Sequence, residues 1–279
     1  MALILALLSA VFYGTADFLG GFAARRAPTL AATVWAQGIG FGVALLALPI
    51  FPAALPSAVE AAWSIGAGLT GGLGVAMLYY GFAVGRVSVI APVTAVCSIA
   101  IPVVVAFGLG ERPRPLAIAG IAVAIASVAL ISRHQDATGG GGRRDRSLAI
   151  GLGCGVVIGA FFVCLARAGS ASGVWPLLIA RAASTAALAA AAGMAKVPIA
   201  IPRSVLPVVV ACGVIDMVAN ALYLIAVREG PLGLVATLAS LYPASTVLLA
   251  RVVFRERLQP VQSVGLACAA AAIVMITTR

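Results

Sequence analysis

Glu111-Arg112-Pro113-Arg114-Pro115 and Glu256-Arg257-Leu258-Gln259-Pro260 stand 145 residues apart, and each is a Glu-Arg-x-x-Pro set between two long apolar runs. The same offset pairs Gly120 with Gly265, Gly14 with Gly159, Leu7 with Leu152 and Val11 with Val156. Around Tyr80 the offset falls to 143, pairing Tyr80 with Tyr223 and Ala83-Val84 with Ala226-Val227. A length difference between the third and fourth apolar runs accounts for the change. Pattern recurring at a fixed period means one structural unit built twice. Residues 133–146 separate the copies. This stretch holds four consecutive glycines (139–142), Arg133, Arg143, Arg144, Arg146 and the chain's one histidine, His134.

Composition says what the repeated unit is made for. Of 279 residues, 63% are hydrophobic and 9% charged, against about 25% charged in an ordinary soluble domain. A water-soluble globule would lack the charge to cover its surface, so a soluble enzyme and a disordered chain are both excluded. A spanning helix needs about 20 apolar residues. Apolar runs of that length fall at about 2–22, 30–51, 60–83, 88–109, 115–132, 147–168, 174–194, 205–227, 231–253 and 259–278. Period-two alternation is missing, which argues against a membrane β-barrel. The expected fold is an all-α membrane protein of ten helices. The first repeat is 1–132, the Gly/Arg linker 133–146 and the second repeat 147–279. Five spans is an odd number, so two halves of like fold must sit upside down relative to each other. Inverted repeats of this kind place a substrate site near the midplane between them.

The net charge of +10 comes from arginines between the apolar runs, which reads as topology and lipid contact and not as nucleic-acid binding. Arg25, Arg26, Arg86, the linker arginines, Lys196, Arg203, Arg251, Arg255 and Arg257 fall on one side; Arg112, Arg114, Arg167, Arg228 and Arg279 fall on the other. The positive-inside rule puts the richer side in the cytoplasm and both termini outside. The apolar start has no basic residue before it and no A-x-A site before Arg25, so it reads as the first span and not as a signal peptide. The cysteines at 97, 154, 164, 212 and 268 lie inside apolar runs without zinc-like spacing, and read as small apolar residues.

Two five-span repeats, short third-to-fourth and eighth-to-ninth connections and a Glu-Arg pair before each last span resemble the EamA family of the drug/metabolite transporter superfamily. The resemblance covers essentially the whole chain. Small alanine-rich bacterial members of that family include aromatic amino-acid exporters of the YddG type, which this chain resembles in composition. The resemblance implies a central cavity lined by helices one to four and six to nine, with helices five and ten peripheral. It also implies termini inside, against the charge count.

The residues themselves limit the chemistry. No G-x-x-x-x-G-K-[ST] occurs and the one lysine is Lys196, so an ATP-driven pump is excluded unless a partner supplies the ATPase. No Ser-His-Asp or metalloprotease pattern occurs; no catalytic residue, metal or cofactor is expected. Asp17, Arg181 and Asp216 fall within spans, where charge is costly and such residues face a cavity or each other. Arg181 suits a substrate carboxylate, because its planar fork matches that geometry. Asp17 or Asp216 would carry a coupling proton; a structural Arg181–Asp216 pair is the competing reading. Tyr79, Tyr80, Asn220, Tyr223, Tyr242, Trp35, Gln37, Ser98 and Ser240 are the uncharged substrate-binding candidates, with Tyr13 and Ser245 nearby. Trp63 and Trp175 read as interfacial. Gly38/Gly42, Gly151/Gly155 and the glycines of span three read as close-packing points, and Pro92, Pro102 and Pro243 as kinks. Glu111 and Glu256 read as structural carboxylates at the turns before helices five and ten.

The function expected is a secondary transporter in the bacterial inner membrane, exporting small metabolites, above all aromatic or other apolar amino acids, by alternating access. The partners are a small-molecule substrate, lipid and a coupling proton, with no nucleic acid. A cation or multidrug exporter using an intramembrane Asp, and an intramembrane enzyme or lipid-handling scaffold, are the alternatives.

Overall fold

Prolines and polar turns divide the apolar sequence into rods. In the computed structural model, which describes residues 1–84, 87–131, 141–169, 172–242, 244–245, 249 and 260–277, they delimit ten helices of eight residues or more among those residues. These are α1 (Ala2–Ala24), α2 (Thr29–Ala47), α3 (Ala58–Val84), α4 (Val87–Gly108) and α5 (Pro115–Ile131), then α6 (Gly141–Arg167), α7 (Trp175–Met194), α8 (Leu206–Glu229), α9 (Leu232–Ala239) and α10 (Pro260–Thr277). Pro28 caps the start of α2, and Pro49 and Pro52 follow its end. Ser57 and Glu60 form a reciprocal capping box on α3: the Ser57 N–H donates to the Glu60 carboxylate at 2.8 Å and the Glu60 N–H to Ser57 Oγ at 3.3 Å. Pro115, Pro176 and Pro207 each stand in a first helical turn, where a missing N–H costs nothing.

Among the described residues, six helices or parts of them are long and apolar enough to cross a membrane: Ala2–Ala24, Thr29–Ala47, Ala58–Gly81, Ala149–Arg167, Trp175–Met194 and Leu206–Glu229. Cys97–Gly108, Pro115–Ser127 and Ser263–Ala272 are shorter apolar stretches. Large side chains such as Leu46, Ile50 and Val104 point outward. Outward apolar surface on a bundle of apolar helices suits a lipid solvent. The chain is a multi-pass membrane protein.

Two expectations are corrected. Residues 141–146, read as linker, form the first turns of α6, since no proline stops the helix there and arginine is a good helix former. The ninth span is not one continuous helix: α9 ends at Ala239 and a turn follows at Ser240-Leu241. Pro243, itself outside the described residues, cannot donate to the Ala239 carbonyl one turn back. By contrast α4 runs on through Pro92 and Pro102. Residues 133–140, Glu256, Arg257 and Gln259 lie outside the described residues.

The packing follows one rule. α1 packs on α8 as α6 packs on α3; α2 packs on α8 as α7 packs on α3; α4 packs on α6 as α9 packs on α1. α2 pairs with α7, α4 with α9 and α5 with α10. Exchanging each helix for the one five places along reproduces these pairings. Small residues make them close. A Cβ on Gly68 would strike the Ala180 backbone of α7, one on Gly71 would lie 2.8 Å from the Phe161 ring, and one on Gly155 would meet Cys97 and Thr94 of α4. Gly42, expected as a contact point, has nothing within 4 Å.

Loops that join successive helices meet at one end of the bundle. Arg228, at the end of α8, donates to the Gly169 carbonyl from Nε at 3.1 Å and from its terminal nitrogen at 2.9 Å, and to the Gly173 carbonyl at 3.0 Å. Gly169 and Gly173, at φ +92° and +53°, shape the α6–α7 loop for it. Glu111, just beyond α4, accepts from the backbone N–H groups of Leu232 and Gly233 at the same end. Its partner is therefore the start of α9, in place of the expected α5.

Candidate substrate cavity

Arg181 sits on the inner face of α7 two turns into the helix, and its position depends on a missing side chain opposite. Gly40 of α2 lies beneath it, and a Cβ there would come within 3.2 Å of Arg181 Cδ and Nε. The guanidinium lies across this gap and divides its fork. One terminal nitrogen donates to the Gln37 side-chain oxygen of α2 and the other to one carboxylate oxygen of Asp216 on α8. The Arg181 side chain is 8% exposed and that of Asp216 is 19% exposed. Charges this enclosed need a partner, because losing their hydration costs several kcal/mol per ion.

A polar shell holds the pair. Ser184, one turn beyond Arg181, donates from Oγ to the same Gln37 oxygen at 3.2 Å. Asn220, one turn beyond Asp216, donates to the Asp216 backbone carbonyl at 2.7 Å and accepts from the Tyr13 hydroxyl of α1 at 3.1 Å. Asp17, one turn beyond Tyr13, is turned into the same space and has no ion-pair partner among the described residues.

These side chains form one wall of a cavity between α1, α2, α3, α6, α7 and α8. Gly68, Gly71, Gly72 and Val75 of α3 give a low apolar wall, and Phe161, Phe162 and Leu165 of α6 an aromatic and aliphatic one. Tyr242, from the segment after α9, completes the lining. Phe162 meets Tyr223 at a tilt of 43° with ring centroids 4.8 Å apart and meets Tyr13 edge-on at 6.0 Å. No described residue of α4, α5 or α10 lines the cavity.

Of the residues singled out from the sequence, Arg181, Asp216, Asp17, Gln37, Asn220 and Tyr242 meet on this cavity. Others are placed differently. Trp35 is 41% exposed on the outer face of α2, and its indole N–H donates to the Ile199 carbonyl at 2.8 Å. Tyr80 is 44% exposed, one residue round the helix from the inward face. Tyr79 is buried between helices: its ring lies over Gly20, and its hydroxyl stands 3.6 Å from Cys212 Sγ. Tyr223 is spent on packing, its hydroxyl donating to the Phe162 carbonyl at 3.1 Å. Ser98 donates to the Ala95 carbonyl within α4, and Ser240 is buried in the turn after α9. The sequence reading missed Ser184 and the Phe161-Phe162 pair. Ser184 was findable, three residues after Arg181 and so on its face.

A paired charge on a cavity wall built from helices of both halves of the chain is an arrangement suited to moving a polar solute. The sequence model of the EamA-like transporter family matches the chain twice, at residues 1–133 and 146–278. The chain belongs to the EamA-like transporter family. Members of that family are membrane transporters, so the cavity belongs to a drug/metabolite-type transporter acting on a small molecule. A solved structure described only as "Crystal structure of protein" resembles the chain with a TM-score of 0.78 and 19% identity, over 99% of this chain and 96% of that one. At that identity it shows the fold alone. No curated protein matches the chain.

Proposed function

We propose that this chain is a secondary exporter of amino acids, aromatic or otherwise apolar, working by alternating access in a bacterial inner membrane. The observation that carries the reading is the Arg181 guanidinium on the wall of a cavity whose other walls are apolar and aromatic. A guanidinium fork is suited to a carboxylate, and the Phe161-Phe162 wall to an apolar side chain. The proposed architecture is ten spanning helices in two inverted repeats, 1–132 and 147–279, joined through 133–146, of which 141–146 are already helical. The exchange of helix pairings between the halves and the odd span count support it. Arg181, Gln37, Asn220 and Tyr242 are the proposed substrate contacts, with Tyr79, Tyr223, Ser98 and Ser240 behind or beside them as packing support. Asp17 or Asp216 is the proposed coupling carboxylate, the other balancing charge.

The second reading is an exporter of organic cations. Asp17, on the cavity wall with no ion-pair partner among the described residues, favours it, since a cation would find a carboxyl group there while Arg181 stayed paired.

Flux in proteoliposomes containing only this protein tests both. Efflux of L-phenylalanine and L-leucine, measured with and without a pH gradient, should exceed that from protein-free liposomes, while cationic dyes should not move. Dye transport without amino-acid transport would reverse the assignment, and dependence of the rate on the pH gradient would establish the coupling.

A further inference from the structure

The Arg181 fork is split. Its two terminal nitrogens serve different acceptors, Gln37 and a single oxygen of Asp216, so neither makes the parallel two-bond contact that a carboxylate offers a guanidinium. Asp216 is the more exposed of the pair and uses one carboxylate oxygen for Arg181; the other accepts no side-chain hydrogen bond among the described residues. The groups facing Asp216 are Tyr13 and Asp17 from α1, Gln37 from α2, Arg181 from α7, Asn220 from its own helix and Tyr242. Asp17 and Arg181, with Asp216, give the cavity two carboxyl groups and one guanidinium.

Resting on the amino-acid reading, we propose that Asp216 occupies the substrate's place on Arg181 in the empty carrier, and that a zwitterion binds by parting the two. The substrate carboxylate takes both terminal nitrogens of Arg181, and the substrate ammonium takes Asp216. One ion pair is exchanged for two, and neither buried charge is left without a partner. No covalent bond changes and no proton is needed. An anion lacking the ammonium would strand Asp216 beside Asp17; an amine lacking the carboxylate would gain nothing from Arg181. The site thus recognises the two charges together, and the apolar walls accept the side chain.

The test uses the intact protein in detergent with radiolabelled L-phenylalanine as probe. Unlabelled L-phenylalanine, 3-phenylpropionate and 2-phenylethylamine compete for it, and titration calorimetry in buffers of different protonation enthalpy counts protons. The expected result is L-phenylalanine outcompeting either one-charge analogue by about 100-fold or more, with no net proton uptake. In Asp216→Asn, 3-phenylpropionate should close the gap to within about tenfold, because Arg181 has become an open anion site. Near-equal competition by 3-phenylpropionate in the native protein, with one proton taken up, would overturn the proposal: Asp216 would then be neutralised by a proton. Equal competition by 2-phenylethylamine would overturn it in favour of a cation at Asp17. An unchanged preference in Asp216→Asn would place the ammonium elsewhere. If that variant does not fold, the native competition and the proton count decide alone. Absence of any amino-acid binding removes the transport reading and this inference together, whereas phenylalanine binding without discrimination removes this inference only.

Discussion

The Glu111 carboxylate reaches from the end of α4 to the start of α9, accepting the Leu232 N–H at 2.7 Å and the Gly233 N–H at 3.1 Å. The first N–H groups of a helix have no partner within it, and the helix dipole adds positive charge there. Glu111 answers both from 121 residues away in sequence. It ties the first repeat to the second at the end of the bundle where Arg228 also closes the α6–α7 loop.

Removing that carboxylate is therefore a stability experiment. Glu111→Ala should cost about 1–3 kcal/mol, since two enclosed donors lose a charged acceptor. Glu111→Gln keeps one acceptor oxygen and should lose about half as much. Thermal unfolding in detergent would rank them native, Gln, Ala. Equal melting temperatures for all three would show that water or another group caps α9 just as well.

The glycines separate into those that make room and those that do not. Gly68→Ala puts a methyl into the Ala180 backbone, and should push α3 from α7 at a cost of about 1–3 kcal/mol, with loss of flux because both helices line the cavity. Gly42→Ala meets nothing within 4 Å and replaces a poor helix former by the best, so it should be neutral or stabilising by up to about 1 kcal/mol. Folded yield after size-exclusion chromatography compares them directly. A benign Gly68→Ala would mean that this contact yields readily.

Helix positions were legible because apolar runs and prolines follow from chain chemistry alone. The start of α3 shows how local that signal is, with Ser57-x-x-Glu60 carrying its own cap. The charged centre was legible too, since Arg181 and Asp216 are too costly in lipid to stand apart. Helix rotation was not. Tyr79 and Tyr80 are neighbours, yet one is buried against Gly20 and the other faces out, and nothing in an alanine-rich helix marks the inward face. These helices are apolar all round, so amphipathic periodicity carries little information. Nor did spacing reveal that the Glu111 partner is α9, because a carboxylate can cap any helix start it can reach.

Rotation supplies its own prediction. Trp35→Phe and Tyr80→Phe alter outward side chains and should leave flux within about twofold of native, typical of surface changes. Tyr13→Phe removes the hydroxyl that donates to Asn220, beside Asp216, and should lower flux several-fold while the protein stays folded. Initial rates in proteoliposomes, normalised to incorporated protein, would decide. A severe defect in Trp35→Phe with normal Tyr13→Phe would invert the assignment of inner and outer faces.

Arg181 and Asp216 together allow function to be separated from scaffold. Arg181→Ala leaves the partly buried Asp216 without its ionic partner and the Gln37 oxygen with Ser184 alone, so folded yield should drop by the equivalent of about 3–5 kcal/mol. Arg181→Met combined with Asp216→Asn removes both charges and should restore most of that yield, because a neutral pair carries no unmet desolvation cost. Transport of a carboxylate-bearing substrate should not return with it, since the anchor is gone. Arg181→Lys keeps the charge, and with it most of the stability, but offers a point charge in place of a fork; flux should fall at least about tenfold. Monodispersity in detergent measured beside flux in liposomes separates the two effects. A double variant that is well folded and transports amino acids at the native rate would show that the ion pair serves the fold alone, leaving recognition to Asp17, Asn220 and Tyr242.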